Sequence, residues 1–83
     1  MMTQRDKLLA RLQTNPKAAS FQDVETLLRQ HGFTLDRVRG SHHRYKRGTL
    51  QLTLARHGAI VSEYEVRLAL DAVRQVRSEE GFD

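Results

Sequence analysis

The 83-residue chain predicts a single α+β domain, with helices packed on one face of a three-stranded antiparallel sheet. Three observations carry that reading. Apolar residues recur at helical spacing in three stretches: Leu8 to Leu12, Phe21 to Leu28 and Val66 to Val76. Between the last two the period changes, and Leu50, Leu52 and Leu54 take every second place. Gly32, Gly40 and Gly48 cut this middle part into segments of strand length.

The first helix is expected over Thr3–Gln13. Thr3 can cap it, Asp6 sits in its first turn, and Leu8, Leu9 and Leu12 make one stripe. Asn15-Pro16 stops it, because proline disfavours helical geometry in the residue before it. A second helix, Phe21–His31, starts from Ser20 as N-cap, and Phe21, Val24, Leu27 and Leu28 line its apolar face. Gly32 supplies the left-handed residue that closes it, with Phe33 folding back onto Leu28.

Strands are expected over Phe33–Arg39, His42–Lys46 and Thr49–Leu54, joined by turns at Gly40-Ser41 and Arg47-Gly48. Val38 is out of phase with Phe33 and Leu35, which predicts a bulge or an early strand end near Arg37. A loop over 55–61 leads to the last helix at Ser62. Glu65 completes a capping box there, and Val61 and Val66 are placed as a hydrophobic staple. The expected organisation is a helical extension over 1–19, a core domain over 20–78 and a polar tail over 79–83.

Bulk composition narrows the function. A hydrophobic fraction of 39% and a charged fraction of 29% suit a soluble domain with a modest core. Without cysteine there is no disulfide framework and no thiolate metal site. The chain starts with no apolar run of signal-peptide length, and none of its stretches could span a bilayer, so a bacterial-type cytoplasm is the expected location. Gly-rich phosphate loops, a Ser-His-Asp order and nucleotide fingerprints are absent. The net charge of +4 is local: from Phe33 to His57 six basic residues stand against Asp36 alone, so this segment is +5 and the remainder −1. Concentrated positive charge points to a polyanionic partner, against the alternative of an ordinary solvated face.

The centre of that segment is Gly40-Ser41-His42-His43-Arg44-Tyr45, with Arg37, Arg39, Lys46 and Arg47 around it. Imidazole moves its proton near neutral pH, and guanidinium and ammonium groups hold phosphates. Strand alternation separates the two histidines. Tyr45 has the apolar body, so its face is the packed one and His43 shares it; His42, Arg44 and Lys46 then point to the open face. His42 is thus placed to act as general base or acid at a ribose 2′-hydroxyl, or else simply to contact RNA. Arg44 and Lys46 would stabilise charge on the phosphorane. His43 reads as a packed histidine satisfied by a hydrogen bond. His57, beside Arg56 and Gly58, either contacts phosphate or supports the sheet. His31, at a helix C-terminus where positive charge is favourable, needs no functional reading. No metal is expected, since adjacent strand histidines diverge and no acidic cluster lies near them.

These residues resemble the HicA toxins, the small mRNA-interferase partners of HicB antitoxins. The likeness rests on Gly40-Ser41-His42-His43-Arg44-Tyr45, followed some ten residues later by Arg56-His57-Gly58 and a capped helix, and it runs from about Phe21 to Val76. The resemblance implies a fold like the double-stranded RNA-binding domain, α-β-β-β-α, to which Thr3–Gln13 adds an N-terminal helix. It implies that His42, directly after the Gly-Ser pair, is the catalytic residue. Ala55 stands where family members commonly carry proline before the Arg-His pair, which weakens any role for His57.

The expected function is therefore the toxin of a type II toxin–antitoxin system: an endoribonuclease that cleaves mRNA without metal or other cofactor. His42 would transfer the proton, and Arg37, Arg39, Ser41, Arg44, Lys46, Arg47, Arg56 and His57 would contact the RNA. A HicB-type antitoxin is the expected protein partner. A non-catalytic RNA-binding module that regulates translation is the alternative from another class, and a derived protein that has lost toxicity is a third.

Overall fold

The computed structural model describes residues 2–81. Its elements run α1 (Gln4–Thr14), a single 3-10 turn (Pro16–Ala18), α2 (Phe21–Gln30), β1 (Thr34–Arg39), β2 (His42–Arg47), β3 (Leu50–Ala55) and α3 (Glu63–Glu80). The strands form one antiparallel sheet in the order β1-β2-β3. This is the expected α+β arrangement, α-β-β-β-α with an added N-terminal helix.

Local chemistry sets the helix ends. Thr3 Oγ1 accepts the Asp6 N–H at 3.1 Å and Asp6 accepts the Thr3 N–H at 3.3 Å, a complete capping box on α1. Ser20 caps α2 by accepting the Asp23 N–H at 3.0 Å. The helix closes at Gly32, whose φ is 86°, and the Phe33 N–H returns to the Leu28 carbonyl at 3.0 Å. On α3 the box takes a different form. Ser62 accepts the Glu65 N–H, but the Glu65 carboxylate turns to the Ser62 hydroxyl and to the backbone N–H of Ala55, at 2.8 Å. Glu65 therefore ties the helix start to the end of β3.

The first hairpin turns at Gly40-Ser41 as expected, and the second is shifted by one residue. Arg47 pairs with Leu50, so β2 is one residue longer and the turn is Gly48-Thr49 rather than Arg47-Gly48. Gly48 has φ 59° while Thr49 stays negative, the pattern of a type II′ turn, which matches strand twist. The bulge expected near Arg37 lies between Leu35 and Arg37, with Asp36 the extra residue. It returns Val38 to the phase of Leu35, so both lie on the helix side of the sheet. Both stay exposed, since β1 is an edge strand that the helices do not cover.

The core is one cluster. Leu9 and Leu12 of α1, Phe21, Val24, Leu27 and Leu28 of α2, Phe33, Tyr45 of β2, Leu54 of β3 and Val66, Ala69, Leu70, Val73 and Val76 of α3 are buried together, with Val61 as the staple. The N-terminal helix is thus integral to the core. Ion pairs reinforce its attachment: Arg5 to Glu80 at 3.4 Å and Arg77 to Asp6 at 3.0 Å. The residues expected as a polar tail continue α3 through Glu80, and Gly81 caps it with φ 85°. The last two residues of that expected tail, and Met1, lie outside the described residues. No helix among the described residues is long and apolar enough to cross a membrane.

His31 departs from its expected surroundings. It is 1% exposed, not a solvated end charge, because α1 and the end of α3 close over it. Nδ1 lies 2.8 Å from the Leu27 carbonyl and must carry the proton, which leaves Nε2 to accept from Arg77 at 3.4 Å. Burial pushes its pKa down, so the ring is held neutral; the Leu27 carbonyl opposes that shift only in part.

Candidate nucleic-acid interface

The open sheet face is built in cross-strand rungs, because residues paired in antiparallel strands project to the same side. Arg39 of β1, His42 of β2 and Ala55 of β3 form the first. Arg37, Arg44 and Thr53 form the second, and Thr34, Lys46 and Gln51 the third. The expected division of the strand holds: His42 and Lys46 are exposed, while Tyr45 is fully buried.

His42 sits at the end of its strand, just after the Gly40-Ser41 turn. Its ring makes no hydrogen bond to another described residue, so both nitrogens are open to a substrate. Arg39 and Arg37 have no ion-pair partner among the described residues. Arg44 and Lys46 are engaged by the bulge residue: Asp36 Oδ2 accepts from Arg44 Nε at 3.1 Å and Nη2 at 3.0 Å, and Lys46 Nζ lies 3.7 Å from Oδ1. The bonds from Arg44, then the Lys46 charge, hold the Asp36 carboxyl below the usual carboxylate range.

On the opposite face, His43 meets the Phe21 ring edge-on at 5.0 Å, and its Nδ1 donates to the Ser41 carbonyl at 3.2 Å. That carbonyl also accepts the Arg56 N–H at 2.7 Å. The Ser41 main chain therefore joins the β1–β2 turn to the loop after β3. The Arg56 guanidinium lies 4.9 Å from the centre of the Phe21 ring, a cation–π contact. His57 is exposed in the same loop. This loop is pinned to the start of α2, since the Phe21 N–H donates to Ala59 at 2.8 Å and the Val61 N–H to Ala19 at 3.0 Å.

Arg47 is the one expected contact that the strand phase carries away from the rungs. It shares the side of Tyr45, lies against Gly32, and reaches Glu79 at 3.4 Å and Glu80 at 3.9 Å. Two residues escaped the sequence reading. Asp36 was visible only as the lone acid of the basic segment. Glu25 accepts the Tyr45 hydroxyl at 2.5 Å beneath the sheet. Burial, and then that carboxylate, push the Tyr45 pKa up.

The described residues contain no group of three or more His, Cys, Asp or Glu that could hold a metal ion. Arg39 beside His42, and Arg37 on the next rung, give that end of the open face a positive charge suited to an anionic backbone.

No curated protein and no solved structure matches this chain. Among protein families, residues 21–72 match the HicA toxin of bacterial toxin–antitoxin systems, from the start of α2 into the middle of α3. The match takes in the helix end at Gly32, the whole sheet and the Gly-Ser-His segment, and it covers more than half of the sequence. The chain belongs to the HicA toxin family.

Proposed function

We propose that this toxin is a metal-independent endoribonuclease that cleaves mRNA on the open face of its sheet, with His42 as the proton-transfer group. The observation that carries the reading is the β1–β2 register, which puts Arg39 beside His42 on a face that no helix covers. An exposed imidazole next to a guanidinium with no ion-pair partner among the described residues supplies both requirements of 2′-hydroxyl attack: a base for the proton and a cation for the phosphorane.

His42 takes the 2′-hydroxyl proton as O2′ bonds to phosphorus. The P–O5′ bond then breaks, the 5′ oxygen is protonated by water, and His42 returns its proton to solvent. The products are a 2′,3′-cyclic phosphate and a 5′-hydroxyl. Arg37, Arg39, Arg44 and Lys46 hold the backbone, with Ser41, Arg56 and His57 reaching it from the adjoining turn and loop. A HicB-type antitoxin is the natural protein partner of such a toxin.

The test is the chemistry of the cut ends. Purified protein incubated with RNA and chelator should leave 2′,3′-cyclic phosphate and 5′-hydroxyl ends. Cleavage that stops with chelator, or that leaves 5′-phosphates, contradicts the mechanism.

A further inference from the structure

Asp36 is the only acidic residue between Phe33 and His57, and the fold gives it an unusual position. It is the extra residue of the β1 bulge, with no partner on β2. From there its carboxylate reaches Arg44 and Lys46, while Arg37 of the second rung and Arg39 of the His42 rung have no acidic partner among the described residues. An ion pair this near solvent does little for stability. Its larger effect is on the charge of the face.

We propose that Asp36 is a specificity-determining residue, a resident anion that occupies the phosphate-binding edge of Arg44 and the ammonium of Lys46 and so steers the RNA backbone toward His42. The inference rests on the reading of the open face as an RNA surface. A carboxylate and the non-bridging oxygens of a phosphodiester take the same donors from arginine. With Asp36 in place, a phosphate arriving at Arg44 or Lys46 meets a cation that is already partly neutralised. One arriving at Arg37 or Arg39 meets a charge with no acidic partner among the described residues, and of the two only Arg39 stands directly opposite the imidazole. The bulge thus biases a basic surface toward the register in which a phosphate lies next to His42, and weakens binding that leaves His42 unused.

The consequence is counter to ordinary site mutagenesis: removing a residue from the binding face tightens binding. Asp36→Asn keeps the side-chain shape and removes the charge. For a short unstructured RNA it should bind roughly two- to fivefold tighter, the range of an exposed charge interaction. The slope of log K against log salt should steepen by about 0.7, one phosphate contact on a single strand. In cleavage, KM should fall while kcat does not rise. Lys46→Gln should cost more affinity in the Asp36→Asn background than in the parent. In the parent itself Lys46→Gln should cost less than Arg39→Gln, a comparison that holds even if the bulge variant folds poorly.

Asp36→Asn binding equal to or weaker than the parent, with an unchanged salt slope, overturns the proposal and makes Asp36 a group that only orients Arg44. A parent protein whose RNA affinity does not depend on salt overturns the RNA surface itself, and the inference with it.

Discussion

Arg39 and His42 stand opposite each other across the β1–β2 pair, on the sheet face left uncovered by the helices. Arg47, five residues further along the same strand as His42, points the other way and is held by Glu79 and Glu80. The basic segment is therefore not one surface. Arg39→Gln should weaken RNA binding and make the salt slope shallower by about 0.7. Arg47→Gln should leave RNA affinity unchanged and lower the unfolding midpoint, because it releases the end of α3. Equal losses of affinity in the two variants would mean that the RNA wraps around the sheet edge.

The two adjacent histidines should separate by stability. His43→Ala removes the edge contact to Phe21 and the bond to the Ser41 carbonyl, and should cost about 1 kcal/mol or more in chemical unfolding. His42→Ala should stay within about 0.5 kcal/mol of the parent, as exposed substitutions do. The reverse ranking would put β2 in the other phase.

Stability should fall on mild acidification through His31. Its folded pKa lies below the ordinary 6.5, with burial the main cause. The unfolded chain then takes up this proton first as the pH drops, so the contribution of neutral His31 is complete above about pH 6.5 and declines below it. Urea midpoints at about pH 7.5 and 5.5 should differ for the parent. In His31→Gln, which cannot titrate, the difference should shrink. An equal drop in both proteins would assign the effect to other groups.

Tyr45 should act at the opposite end of the pH scale. Burial and Glu25 raise its pKa above the ordinary 10.0, so the stability it contributes is full below pH 10 and is lost as the pH climbs beyond it. Tyr45→Phe should remove that alkaline loss. At neutral pH it should cost roughly 1 to 3 kcal/mol, because Glu25 loses its hydroxyl donor. A variant as stable as the parent at neutral pH would show that Arg29, 3.7 Å from Glu25, compensates.

Most of the fold was legible because each element carried its own local signals. Thr3, Ser20 and Ser62 announced the three helix starts, and Gly32 with Phe33 announced the end of α2. The failed phase of Val38 announced the bulge. The harder features depend on tertiary placement. Nothing near His31 in sequence shows that α1 and α3 close over it from opposite ends of the chain. The true turn at Gly48-Thr49 lengthened β2 by one residue, and Arg47 went to the packed side with it. Asp36 looked like a minor correction to the charge count. Only the register shows that it meets Arg44 and Lys46.

If His42 transfers the proton, its loss must slow the chemistry and little else. The most direct measurement is the cleavage rate of one RNA, with chelator present, by the parent and by His42→Ala. General acid–base groups contribute about 10²–10⁴-fold, far more than one exposed contact. His42→Ala should lose at least about 100-fold in cleavage while its unfolding midpoint and RNA affinity stay near those of the parent. His42→Gln, polar but unable to shuttle a proton, should be equally inactive. A His42→Ala protein that binds RNA and cuts it within a factor of about two of the parent would rule out proton transfer by His42, since losing such a group must cost far more.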